Sequence, residues 1–282
     1  KLVNRALDKG EIESLLSNQG IEYVSNELRD AVIGAWDFAA NIEPNAASTL
    51  IIDKSLCKLN GSAINMPIRG VPGFNWSSDY MSFLHGPHEY GAIHFHDESV
   101  DDARWDESFK FTVPDNLPSG VYAARLRVNR LTDAENEDYI PFFVRPPKEG
   151  SKAKIALIIP TNSYMAYAND NLSVNSVVAQ LLTGRVPLLQ PSDLLLNDYR
   201  GYGLGTYTVY RDGWGVNISS RLRPILNIRP KYIHILSPSL WQLNADLHFV
   251  DLLDEMNFDV DIHTDEDIQK EGLELLKKYK VV

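Results

Sequence analysis

The chain has 282 residues, 44% of them hydrophobic, and 38 acids against 27 bases give a formal charge of -11. That balance excludes the basic footprint of a nucleic-acid surface, and apolar runs as short as IALIIP exclude a helical membrane span of ~20 residues. A single cysteine, Cys57, excludes a disulfide within the chain, so a reducing, cytoplasmic setting is expected; KLVNRALDKGEIESLL has no leader-like order, and Cys57 is expected as a buried structural thiol.

Residues 10–40 read as mostly helical, with apolar residues three and four apart and a break at Gly20. From 47 to 147 the period shortens. STLIIDKSL is a short apolar run, SFKFTV alternates, and GVYAARLRV and YIPFFVRP are strand-like, bounded by PDNLPSG and the charged turn DAENED. Short strands with such Pro/Gly punctuation predict a β-sandwich. RPPKEGSK reads as a linker.

From residue 153 the pattern changes again. AKIALIIP predicts a strand buried on both faces. Leu240, Leu243, Leu247, Val250, Leu252 and Leu253 form a helical stripe. FDVDIHT reads as a strand, and DEDIQKEGLELLKKYK as a helix with acids first and lysines last, matching the helix dipole. VV opens a further strand. This order predicts the doubly wound parallel α/β class. The insertion after the first strand, residues 160–237, is long for a compact domain and starts at a strand's carboxyl end, where such sheets bind ligands.

Several groups of residues invite chemistry. His94 and His96 are two apart, with Asp97, Glu98, Asp101 and Asp102 following. On a strand both rings share a face, so a metal-dependent amidohydrolase built on this pair is one reading. A strand ending in a solvated acidic loop is the plain one. GYGLGTYTVYRDGWG does not follow a strand and open a helix, so it is no phosphate loop, and there is no G-x-S-x-G elbow. PTNSYMAYAND places Asn162, Tyr164, Tyr167, Asn169 and Asp170 just past the buried strand, and Tyr202, Tyr207 and Tyr210 follow in the same insertion. Phenolate oxygen suits ferric iron; aromatic packing is the alternative. Arg221, Arg223 and Arg229 read as ion pairs or as a hold on an anion.

Together GSAINMPIRGVPGFNW, EYGAIHFHDESVDDARWDESFKFTVPDNLPSGVYAARL, DYIPFFVRPP, TNSYMAYAN, GLGTYTVYRDGWGVNISSRLRPILNIRP and LNADLHFVDLLDEMNFDVDIHTDEDIQKEG resemble, in order, the large (β) subunit of the N,N-dimethylformamidase family, from about residue 35 onward. The resemblance implies a multidomain β plus α/β architecture. Residues 1–75 would be a helical segment and the end of a lectin-like β region, 76–147 an immunoglobulin-like sandwich, and 148–282 the start of a glutamine-amidotransferase-like catalytic domain. It also implies hydrolysis of N,N-dimethylformamide, or a similar small amide, to formate (or the matching acid) and amine. The cofactor would be one Fe3+ held by two tyrosines and a glutamate, and the partners a small helical subunit and further copies of the large one.

The family's T-x-x-x-A-Y-N-like pattern falls on Tyr167, and its Leu-Ser-x-Tyr-like pattern before DG-x-G falls on Tyr207, with Gly205 where the family often has Ser. Tyr164 and Tyr210 are their neighbours and rivals. The glutamate, in a GSHPE-like motif, and the catalytic residues are expected beyond Val282, so the chain reads as an internal fragment whose own activity is doubtful. The resemblance leaves His94 and His96 outside the iron site. The rival is a carbohydrate- or partner-binding β-sandwich protein with an inactive α/β domain, which the five tryptophans permit; it would need no iron.

Overall fold

A computed structural model describes residues 1–16, 20–43, 48–128, 137–148, 150–170, 176–187, 189–237 and 239–282. They form two compact units, Lys1–Asp101 and Asp102–Val282.

In the first unit, β1 (Leu2–Val3) is followed by α1 (Lys9–Leu16) and α2 (Asn26–Ala31). Asp8 and Glu11 cap α1 reciprocally, each carboxylate accepting the other's backbone N–H. Ser25 Oγ accepts from Leu28 N at the start of α2. The helical reading of residues 10–40 fails at its end: β2 (Val32–Gly34) pairs with β1, and β3 (Trp36–Asp37) pairs with β4 (Leu50–Asp53). β-branched Val32 and Ile33 suit a pleated ladder once partners are present. β5 (Gly61–Ser62) completes that sheet, and β6 (Ile68–Val71) pairs with β7 (Ala92–His94). Leu15, Ile21, Leu28, Val32 and Ala35 form the core.

Fully buried Asp53 ties this unit together. It accepts from Ala35 N, Ser55 N, Ser55 Oγ and Leu59 N at 2.7–2.8 Å. Burial alone would raise its pKa, but these donors outweigh it and hold the carboxyl far below the usual range. Buried Arg69 answers with donations to Ser48 O, Phe38 O and Ala40 O. Cys57 is exposed, correcting the expectation of a buried thiol; it lies in the turn between β4 and β5, with its backbone tied to Ser55 Oγ.

In the second unit, β8 (Gly120–Arg127) and β9 (Glu137–Val144) form an antiparallel pair in unbroken register. SFKFTV, read as a strand, runs without regular structure; Phe109 and Phe111 are exposed, and no ladder partner lies beside it among the described residues. Alternation alone does not satisfy backbone N–H and C=O groups. Most of DAENED lies outside the described residues.

β10 (Ile155–Ile159) and β11 (Val260–Thr264) pair in parallel, and Val281 bridges Ile155, also in parallel. The chain thus returns beside β10 first as β11 and then at Val281. Between them lie α3 (Thr161–Ala166), α4 (Ser176–Thr183), α5 (Pro191–Asp198), α6 (Leu243–Glu255), α7 (Asp265–Glu271) and α8 (Leu273–Leu276). Leu243, Leu247 and Val250 of α6 join Ile159, Tyr164 and Ile262 in the core, with Val121 and Phe143 of the hairpin against it. Leu252 of the predicted stripe faces outward. Thr264 and Asp267 cap α7 reciprocally, and Gly272, at φ 62°, ends it. No helix of the described residues is long and apolar enough to cross a membrane.

Candidate metal centre

The site begins where β10 ends. Pro160 closes the strand, α3 makes under two turns, and Tyr167 follows as its C-cap. Tyr167 N donates to Ser163 O and Asp170 N to Tyr167 O, a closing turn that leaves Asn169 at φ 58°. Asn tolerates that left-handed conformation better than most residues.

Asn169 locks the turn. Its Oδ1 accepts from Leu226 N at 2.9 Å, its Nδ2 donates to Pro224 O at 2.8 Å, and its N donates to Asn227 Oδ1 at 3.1 Å. Asn227 Nδ2 in turn donates to Tyr167 O. Both asparagines are buried. The backbone of Tyr167 is therefore held by the far end of the insertion.

Tyr207 reaches the same place from the middle of the insertion. Its ring stacks on that of Tyr167, centroids 4.2 Å apart and planes within 10°. Interaction with the Tyr207 side chain raises the Tyr167 pKa, and burial and the Asp170 charge add to the rise. Tyr207 is 59% exposed, so the pair opens to solvent on one side. Trp241 meets the Tyr167 ring edge-on at 5.8 Å and stacks on His234 at 4.4 Å. His234 Nδ1 accepts from Leu236 N, and its buried Nε2, 3.9 Å from Asp170 Oδ2, has no hydrogen-bond partner among the described residues.

The neighbouring tyrosines are engaged elsewhere. Tyr164 is 3% exposed and donates its hydroxyl to Asp246, and burial with that bond raises its pKa strongly. Tyr210 is 2% exposed, packed with Leu204 and Val216. Tyr202 sets its ring against Trp105 and Tyr199. Asn162 offers its backbone N–H to Asp265.

The arginines divide. Arg221 pairs with Glu266 at 2.9 Å and Arg229 with Asp138 at 2.8 Å, the ion pairs of the plain reading. Arg223 does neither: buried, it donates to Leu204 O, Ser220 O and Ser219 Oγ, each at 3.0 Å. Burial lowers its pKa to about 10. It braces the loop before Tyr207. His94 and His96 stand in the first unit, their rings 4.0 Å apart, although β7 ends at His94 and His96 lies past it.

Spacing could not have found Asn227, Thr206, Asp246 or Trp241. Each acts through a contact 40 or more residues away in sequence. What the arrangement offers chemically is two phenols stacked ring on ring. Their oxygens are hard donors when ionised, a donor type that suits a ferric ion.

The second unit is thus a parallel α/β unit with a stacked phenol pair past the carboxyl end of β10. A profile of the family described as "N,N-dimethylformamidase beta subunit-like, C-terminal" matches residues 68–282. Two curated relatives, both called N,N-dimethylformamidase beta subunit, come from Paracoccus aminophilus, 40% identical over 286 aligned residues, and from an Alcaligenes species, 38% identical over 284. All of this chain is covered in each case, but it spans 36% of each relative's length. The chain belongs to the N,N-dimethylformamidase beta subunit-like family.

Proposed function

We propose that this chain is part of the large subunit of an iron-dependent amidohydrolase acting on N,N-dimethylformamide or a similar small amide. Family membership and the names of both relatives support the reaction class. The observation that carries the metal reading is the Tyr167–Tyr207 stack, just past α3 on the carboxyl side of β10. Tyr164 and Tyr210, the rivals, are buried in other packing.

In this reading Tyr167 and Tyr207 hold a single Fe3+. A carboxylate carried just past the strand that Val281 opens would join them, because parallel neighbours in a sheet share one carboxyl edge. The ion supplies Lewis acidity toward the amide carbonyl or a water. The chain's own residues do the rest of the positioning. Asn169 and Asn227 hold the Tyr167 backbone, and Arg223 braces the loop that carries Tyr207. In the net reaction water oxygen bonds to the carbonyl carbon, the C–N bond breaks, and the amine leaves with a proton. The doubly wound class is supported by the order β11, β10, Val281, and a partner subunit by the relatives' designation as beta subunits.

The test is iron content and the visible spectrum of the complete subunit containing this chain, expressed with iron supplied. Iron with a phenolate charge-transfer band, lost in both Tyr167→Phe and Tyr207→Phe, is the expected result. A colourless, iron-free wild type would overturn the reading and favour a binding protein with an inactive α/β domain.

A further inference from the structure

The two phenol rings come from segments 40 residues apart (207 − 167 = 40), and something must set how they overlap. The residue before each ring does this. Thr206, immediately before Tyr207, gives two hydrogen bonds to the carbonyl of Ala166, immediately before Tyr167: one from its backbone N–H at 3.2 Å and one from Oγ1 at 2.7 Å. The two chains are clasped at equal offsets from the two rings. Ring stacking at 4.2 Å with planes within 10° is what such a register produces.

Two further contacts confine the clasp. Gly205, one residue earlier, lies so close to the turn after Tyr167 that a Cβ there would fall 2.8 Å from Asp170 Cα and 2.9 Å from Asp170 N. Those are backbone atoms, so a Cβ there would require the loop or the turn to shift. On the other side of the turn, Ser219 Oγ donates to Met165 O at 2.6 Å, so consecutive carbonyls of α3, at Met165 and Ala166, are taken by two parts of the insertion. The C-terminal carbonyls of a helix have no partners within it; here they become the anchor points for the second tyrosine. Thr206 touches neither metal nor substrate in this scheme.

We infer that Thr206 is a positioning residue for the tyrosine pair, its Oγ1 bond to Ala166 O setting the distance between the two phenol oxygens. This rests on the proposal that Tyr167 and Tyr207 hold the metal, but its own claim, control of ring overlap, does not need the metal. Backbone approach alone would leave one hydrogen bond and a freer loop. The hydroxyl adds a second bond to the same acceptor and removes rotation about the Gly205–Thr206 segment.

The experiment uses the complete subunit and three forms: wild type, Thr206→Val and Thr206→Ser. Valine keeps the shape and the backbone bond but loses the hydroxyl; serine keeps the hydroxyl. In metal-free protein, photo-oxidative coupling with a ruthenium tris-bipyridyl and persulfate system reports how often the two rings meet. The product is the dityrosine-linked peptide joining Tyr167 to Tyr207, quantified by mass spectrometry. Thr206→Val is expected to lower that yield several-fold and Thr206→Ser to restore it, with thermal unfolding of both close to wild type. With Fe3+ added, Thr206→Val should weaken iron binding by about two- to tenfold, as loss of one net hydrogen bond implies, and shift the charge-transfer band. Equal dityrosine yields in wild type and Thr206→Val would overturn the inference. If wild type binds no iron but the coupling yield still falls in Thr206→Val, the iron reading fails and the positioning role stands.

Discussion

His263 and Tyr279 share a hydrogen bond of 2.7 Å whose direction is decided by a third group. The Tyr279 hydroxyl donates to Asp261 Oδ2 at 2.6 Å, so His263 Nε2 must be the donor to Tyr279. His263 Nδ1 is then bare, buried and without a partner among the described residues. The ring is neutral, and burial, helped by the Arg145 charge, lowers its pKa.

This neutral ring makes the β11 edge acid-sensitive. In the unfolded chain a histidine takes up a proton near pH 6.5; folded, it resists. Its contribution is complete above that pH and is lost as pH falls through the depressed folded value. Hydrogen exchange of the β11 amides, corrected for intrinsic rate, should show weaker protection at about pH 5 than at about pH 7.5. His263→Gln, which keeps a donor for Tyr279 but cannot titrate, should flatten that difference. An equal pH response in the variant would reject the assignment.

The tyrosines near the site should separate cleanly. Tyr164→Phe and Tyr210→Phe should retain iron and its visible band in the complete subunit, because Tyr164 serves Asp246 and Tyr210 a local apolar cluster. Tyr167→Phe and Tyr207→Phe should lose both. Loss of the band in Tyr210→Phe with the protein folded would move the second ligand to that residue.

Gly205→Ala should pry the loop from the turn. The new methyl meets Asp170 backbone at 2.8–2.9 Å, and overpacking of this kind costs about 1–3 kcal/mol. A lower unfolding temperature together with weaker iron retention is expected. A Gly205→Ala protein indistinguishable from wild type would show that the loop has room to retreat.

Asn169→Ala should be the most damaging change in the support of Tyr167. It leaves the Leu226 N–H and the Pro224 carbonyl without their buried partner, at about 1–3 kcal/mol for each group left bare. Asn169→Asp should only partly rescue it, since a carboxylate accepts from Leu226 N but cannot donate to Pro224 O. Urea denaturation midpoints of the two variants test the order.

The sequence by itself determined the elements whose signal is local. The apolar run of β10, the helical periodicity of 243–255 and the capped start at Thr264 depend on neighbours within a few residues, so they are visible in one dimension. The motif resemblance placed Tyr167 and Tyr207 as candidates but left Tyr164 and Tyr210 beside them. Only the tertiary structure separates the four. It buries two in other contacts and stacks the other two, because Ala166 O and Asn169 bind groups 40 and 57 residues further along the chain. It also turned 32–34 and 36–37 into strands and left SFKFTV without a ladder among the described residues, since a β-strand needs a partner that its own residues cannot specify. Local propensity writes the helices and buried strands. The meeting of two phenols is written by hydrogen bonds between segments far apart in the chain.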